Sequence, residues 1–290
     1  MNKQLRLSMT PTLISRLIPR LIPTLFILFG LVINLVGFEA QAKTFKIASP
    51  SPDGTFWMKQ MRAGAAEIKK KTEGRVKFKF YPGGVMGNDD SVMRKIRIHQ
   101  LHGGTMTNGT LGKISLNMKI YGLPFVFSSL EQSDEVRKTT DKLLMQELEE
   151  NGFVSFGIAK GGFSYMMSKQ RIDTLAALKN VKPWVPEDSE VGRAVYEQAG
   201  VSPISLPLSD VLIGLQTNLI DTVVISQIGA LALQWHTGIK YIVDLPLTYL
   251  VASLIVDKKA FYKLKKQDQL VVRDVMSKVY RRMRASSWTS

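Results

Sequence analysis

The sequence predicts an α/β fold divided into two lobes. Three observations carry that expectation: strand-like and helical segments alternate, about 248 residues remain once an N-terminal leader is set aside, and one helix-turn-strand plan occurs twice at a constant offset of 119 residues.

The elements follow in chain order. Residues 45–48, 76–80, 105–107 and 154–158 are short runs with the β-branched, aromatic or alternating character of strands. Residues 56–72 and 134–151 read as helices between them. No low-complexity linker separates two halves, so the chain is expected to cross between lobes on strands near 165–167 and 253–256. This gives lobe 1 as 43–165, completed by about 253–265, and lobe 2 as 166–252, completed by about 266–290.

The most informative run is 206–223. Ser209 or Asp210 can accept from the free N–H groups of a first helical turn, and Val211, Leu212, Leu215 and Leu219 recur on one helical face. Asn218 tolerates a left-handed closing turn. Asp221 then introduces the β-branched strand Thr222-Val223-Val224-Ile225. Upstream, residues 88–106 repeat the plan, with Val92, Ile96 and Leu101 in the places of Val211, Leu215 and Ile220. Cap, helix, turn and strand is also a common grammar that chance can repeat.

Residues 1–42 form a leader: Lys3, Arg6, Arg16 and Arg20 precede an apolar run from Leu21 to Val36, and Ala40-Gln41-Ala42 is a small-residue cleavage pattern. The apolar run has 16 residues and contains Pro23, short of the roughly 20 that span a bilayer. A cleaved, exported protein beginning at Lys43 is therefore expected. Removing the leader's four basic residues and Glu39 from 39 and 24 leaves 35 basic against 23 acidic, a balance of +12. The cations are scattered, without interleaved aromatic residues, so a solvated exterior is favoured over nucleic-acid binding. Cysteine is absent, which excludes disulfides.

Several segments together resemble the extracytoplasmic solute-binding subunit of tripartite ATP-independent periplasmic (TRAP) transporters. They are Tyr81-Pro82-Gly83-Gly84 with Gly87, Leu123-Pro124-Phe125-Val126-Phe127, Leu178-Lys179-Asn180-Val181-Lys182, and the run from Leu206 to Asp221. The resemblance spans about residues 44–275, and its specificity lies in the order of the motifs. It implies a two-lobed periplasmic binding protein-like (type II) fold with a ligand cleft between lobes. It also implies a non-catalytic, cofactor-free periplasmic receptor that captures a small organic solute, usually an organic acid, for small and large TRAP membrane subunits. Members usually continue several tens of residues past the helix that begins near Gln267, so a truncated closing region is expected in a chain ending at Ser290.

Three positions depart from the family pattern. The resemblance places a carboxylate-gripping arginine where this chain has Trp184, a second arginine where it has Ser164 after Gly162-Phe163, and a polar run where it has Val223-Val224-Ile225. A planar guanidinium suits a carboxylate because it donates two parallel hydrogen bonds. Its loss, with indole and aliphatic surface gained, points to a more apolar ligand, unless Arg193 or Lys160 replaces the cation. Trp184 lies beside Pro183 and Pro186 and could instead pack under the hinge. The run Leu231 to Thr237 resembles a branch of the family that carries tryptophan at this position. By that analogy a repeat-containing lipoprotein is an additional partner.

Cleft candidates follow from the rule that α/β ligands settle at the carboxyl ends of strands. Asn108 and Ser164 are expected to supply orienting hydrogen bonds, and Trp57, Phe163, Tyr165, Trp184 and Ile225 to form walls. The runner-up expectation is a carrier of a hydrophobic or lipid-like ligand on the same fold. Enzyme signatures are missing: there is no phosphate-cradling glycine loop and no Gly-x-Ser-x-Gly turn. His99 and His102 are three apart, but no cysteine or carboxylate pair completes a metal set, and a solvated face is favoured.

Overall fold

A computed structural model describes residues 42–187 and 189–285. The leader and its cleavage pattern, and residues 286–290, lie outside the described residues.

The first lobe opens with β1 (Lys43–Ala48), α1 (Phe56–Lys71), β2 (Val76–Tyr81), α2 (Asp89–Arg97) and β3 (Gly103–Thr107). β1 pairs in parallel with both β2 and β3, as an alternation of strands and crossover helices requires. Next come α3 (Asn108–Ile114), a 3₁₀ turn (Leu116–Gly122), α4 (Leu130–Glu150) and β4 (Phe153–Ser155). α4 starts four residues earlier than the sequence suggests because Ser129 caps it, accepting from the Gln132 N–H. The strand expected over 154–158 ends at Ser155, where the chain turns through Gly157 into β5 (Ala159–Ser168).

The second lobe holds α5 (Leu175–Leu178), β6 (Trp184–Val185), α6 (Glu190–Gln198), β7 (Ile204–Ser205), α7 (Val211–Gln216), β8 (Thr222–Ile225), α8 (Gln227–Ala232) and β9 (Tyr241–Ile242). The chain then returns along β10 (Thr248–Asp257), followed by α9 (Lys258–Tyr262) and α10 (Lys266–Ala285).

β5 and β10 hold the two halves together. Residues 159–164 of β5 pair antiparallel with β10, whereas Tyr165–Ser168 pair with β8, and Met167 and Ser168 also with β9. β10 carries β3 on its other edge through Ala252 to Val256, so the stretch 253–256 lies inside the first lobe's sheet. The second crossing falls instead just before Thr248. Helix α10, which the sequence suggested as part of lobe 2, packs on α1: Val275, Met276 and Val279 are buried with Phe45, Met58, Met61 and Ile68.

Strand alternation assigns the cores. On β10, Leu254 and Val256 enter the cluster under α1 and α10, while Tyr249, Val251 and Ile255 enter the one under α2 and α4. In lobe 2, Met167, Val223 and Ile225 face a core with Val211, Leu215 and Trp235, and their neighbours Met166 and Val224 face Val185, Tyr196 and Val201.

The duplicated plan is visible in the backbone. Val92, Ile96 and Leu101 are buried, as are Val211, Leu215 and Ile220 at the 119-residue offset. The helices close through left-handed residues at equivalent places, His99 and Asn218, both with φ of 59°. The caps differ. Asn88 accepts from the Ser91 N–H, but neither Ser209 nor Asp210 caps α7, because the Ser209 hydroxyl donates to the Asp210 carboxylate at 2.9 Å. Leu219, expected on the buried face, is exposed, since the left-handed Asn218 turns it outward and brings Ile220 in.

Candidate functional site

A cavity of about 240 Å³ opens between the lobes beside the crossing strands. Lobe 1 contributes Thr107, Asn108, Gly109, Pro124 and Phe125, the crossing region Met166, Leu247 and Thr248, and lobe 2 Leu178, Trp184, Val185 and a face of α6. A second cavity of about 90 Å³ lies on the other side of Trp184, bordered by Gly84, Asp89, Asp90, Glu187, Leu206 and Ser209.

Local structure explains how these groups arrive. Phe125 sits in the left-handed region at φ 61° and donates its N–H to the Leu247 carbonyl at 2.8 Å, which holds the Leu-Pro-Phe turn over the crossing. Asn108 opens α3 at the carboxyl end of β3, and its side chain bridges β10, donating to the Tyr249 carbonyl at 2.9 Å and accepting from the Val251 N–H at 2.8 Å. Its amide is therefore a strut between α3 and β10 as well as a lining group. Trp184 is 2 % exposed, donates Nε1–H to the Leu206 carbonyl at 2.9 Å and meets Trp235 edge to face at 5.1 Å. It borders both cavities, so packing and lining coincide in one side chain.

The other sequence candidates lie elsewhere. Trp57 packs under the first lobe against Tyr280, with centroids 6.0 Å apart. Phe163 meets Tyr249 edge to face at 5.5 Å within the core under α2 and α4. Ser164 is fully buried and bonded to the Thr248 hydroxyl at 2.6 Å. Tyr165 and Ile225, paired across β5 and β8, face the Trp235 core, while their neighbours Met166 and Val224 line the cavity. One position along a strand reverses the face.

Sequence reading overlooked α6. Val191, Val195 and Ala199 form a stripe at spacing four, with Gly192 and Tyr196 beside it, and all five border the cavity. That i, i+4 apolar spacing was the available signal. Tyr196 is 5 % exposed, and its hydroxyl is buried without a hydrogen-bond partner among the described residues, an arrangement that costs about 1–3 kcal/mol. Burial pushes its phenol well above the ordinary range, so it is a neutral donor.

The electrostatics are equally definite. No lysine or arginine borders either cavity among the described residues, and no charged side chain of any sign borders the larger one. Lys160 pairs with Asp134, and Arg193 donates to the Ser205 hydroxyl at 2.7 Å. Neither is among the residues that line the larger cavity. Among the described residues no group of three metal-ligating side chains occurs. The lobes also touch at the rim, where Asn88 donates to Glu187 at 2.6 Å and Lys119 meets Glu190 at 3.2 Å.

Residues 47–289 match the model of the bacterial extracellular solute-binding proteins, family 7. The chain belongs to that family. Family 7 and its solved neighbours are binding proteins. The chain is 20% identical to a TRAP periplasmic solute-binding protein from Xanthobacter autotrophicus Py2 with bound β-D-galacturonate, with a TM-score of 0.76 covering 83% of this chain and 81% of that one. A Bordetella pertussis extracytoplasmic solute receptor binding pyroglutamic acid, DctP7, is 23% identical, with a TM-score of 0.75 covering 85% and 82%. These likenesses establish the two-lobed α/β fold. The 2,3-diketo-L-gulonate-binding periplasmic protein YiaO of Escherichia coli K12 is 26% identical over 164 residues, 53% of this chain and 47% of that protein. The chain spans 47% to 62% of the length of the curated relatives it matches.

Proposed function

We propose that this family 7 protein is the periplasmic receptor of a TRAP transporter, which closes its lobes on a small organic solute and delivers it to small and large membrane subunits. The observation that carries the reading is the 240 Å³ cavity at the crossing of the lobes, walled by both of them and by the strands on which they hinge. Among the described residues its lining is uncharged and largely apolar, and we read it as a binding site. Asn108 and Trp184 contribute from opposite lobes, so occupancy favours the closed form.

Periplasmic residence rests on the basic, apolar, small-residue plan of residues 1–42, together with the family's extracytoplasmic character. No helix among the described residues is long and apolar enough to cross a membrane. A repeat-containing lipoprotein as an additional partner rests on the resemblance of residues 231–237 alone. The solved relatives described above bind acids, which lends no support to a lipid-like carrier.

The test is mass spectrometry of small molecules released by denaturing protein purified from the periplasm, followed by uptake assays in cells lacking the chain. A retained solute whose uptake depends on the protein supports the receptor reading. Neither retention nor dependent uptake of any solute overturns it.

A further inference from the structure

We infer that the pole of the first lobe opposite the cleft is a docking face for a bilayer of anionic phospholipid. The inference goes beyond the receptor reading and takes from it only the periplasmic setting, in which a membrane surface is at hand.

Charge is divided unequally between the lobes. Residues 43–164 and 248–285 carry 29 basic and 15 acidic residues, a balance of +14, whereas residues 165–247 carry 6 and 8, a balance of −2. The fold then gathers most of that excess at one end. β1, β2 and β3 begin there, and α1, α2 and β10 end there. Backbone hydrogen bonds tie these connections together: Lys43 donates to Arg75 at 2.7 Å, His102 to Lys46 at 2.8 Å, Asp257 to His102 at 2.8 Å and Lys258 to Gly152 at 2.9 Å. The segments so joined, 43–46, 69–77, 95–102, 149–153 and 257–268, hold 14 basic and 5 acidic residues. Cations scattered along the sequence become neighbours in the fold.

Four of those five carboxylates are occupied. Glu73 and Asp268 each take Arg75 at 3.0 Å, Asp257 caps α9 by accepting from the Ala260 N–H at 2.7 Å, and Glu149 accepts from Tyr262 and Arg273. Lys69, Lys70, Lys77, Lys263, Lys265 and Lys266 are exposed. Like charges crowded at one end repel one another, and an anionic surface turns that repulsion into attraction, each lysine near it strengthening binding about fivefold.

Two exposed apolar side chains favour a bilayer over a free anion. Ile98, 63 % exposed, and Leu270, 64 % exposed, belong to the same end, and Leu270 stands one turn from Lys266 on α10. A headgroup boundary receives aliphatic tips and ammonium groups together, which a free phosphate does not. Distance keeps the cleft clear: β10 runs 10 residues from Thr248 at the cavity to Asp257 at the pole, about 30 Å.

The experiment is co-sedimentation of protein purified from the periplasm with vesicles of phosphatidylethanolamine, alone or mixed with phosphatidylglycerol. Binding is expected only to the mixed vesicles, and is expected to vanish in about 1 M salt, where the screening length is about 3 Å. The triple variant Lys69→Gln, Lys265→Gln, Lys266→Gln is expected to bind mixed vesicles at least about thirtyfold more weakly, and Leu270→Ser about two- to fivefold more weakly. Lys179→Gln, Lys182→Gln, Lys240→Gln removes the same charge from the second lobe and is expected to stay within about twofold of the parent. All these side chains are exposed, so the melting temperatures of the variants are expected to match the parent's. The inference is overturned by equal binding to both kinds of vesicle, by equal losses in the two triple variants, by a Leu270→Ser affinity like the parent's, or by calorimetric binding of glycerol phosphate without sedimentation. The receptor reading stands apart from these outcomes, since retained solute and dependent uptake decide it whether or not vesicles bind.

Discussion

Trp184 shows how one side chain serves the core and the cleft together. Its indole is held by a hydrogen bond to Leu206 and by the edge of Trp235, and its two sides border two cavities. Trp184→Phe keeps an aromatic body but leaves the Leu206 carbonyl without its donor, so stability is expected to fall by about 1–3 kcal/mol in urea titration. An unchanged midpoint would show that the bond contributes nothing. Histidine supplies a second test. His102 Nδ1 accepts from the Lys46 N–H at 3.1 Å, and burial, with Lys43 and Lys46 nearby and Asp257 only partly offsetting them, lowers its pKa from the ordinary 6.5. The unfolded chain therefore binds the proton more readily than the folded one. The stability of neutral His102 is present above pH 6.5 and is lost as pH falls below it, down to the folded-state value. His102→Gln is expected to flatten the decline of melting temperature between about pH 7 and pH 5; a slope identical to the parent's would refute that.

At the scale of elements, what the sequence revealed and what it hid have separate physical causes. The helix-turn-strand plan was legible because buried positions at spacings three to five and a residue tolerant of positive φ are local signals; His99 and Asn218 close both copies. The phase of a strand was not local. Ile225 and Tyr165 stood one position from Val224 and Met166, and only pairing with neighbouring elements decides which face meets the cleft. Trp57, Phe163 and Ser164 do not line the cavity for a related reason, since neither a place after a strand, as for Trp57, nor a place within one, as for Phe163 and Ser164 in β5, fixes by itself which way the side chain points. Asn108 was legible as a polar group at the right strand end, but its partners on β10 lie more than 140 residues away in sequence. Asn108→Ala removes both bonds to β10. A loss of about 2–4 kcal/mol is expected in chemical denaturation, with faster hydrogen exchange at the Val251 amide. Protection equal to the parent's at Val251 would show that the bridge is dispensable.

For the whole molecule, closure is held at the rim by exposed polar contacts and at the centre by the cavity. Asn88–Glu187 and Lys119–Glu190 join the lobes in solvent, where each such contact contributes only about 0–1 kcal/mol. The double variant Glu187→Gln with Glu190→Gln is expected to bind solute roughly two- to fivefold more weakly and to give a larger radius of gyration in small-angle scattering without ligand. If scattering and affinity both matched the parent, these contacts would have no part in closure.

The pairing of Ser164 with Thr248 has a further meaning for how such a chain is built. On one side of that pair β5 and β10 run together as adjacent antiparallel strands of the first lobe; on the other side the chain leaves, forms the second lobe and comes back. Lobe 2 occupies the place of a hairpin loop. Joining residue 164 to residue 248 through a two-residue turn would close that hairpin directly, and the helix at 266–285 already covers the first lobe's sheet. The second lobe is thus laid out as an insertion at the tip of a β-ribbon, and on the receptor reading we propose that ribbon as the hinge.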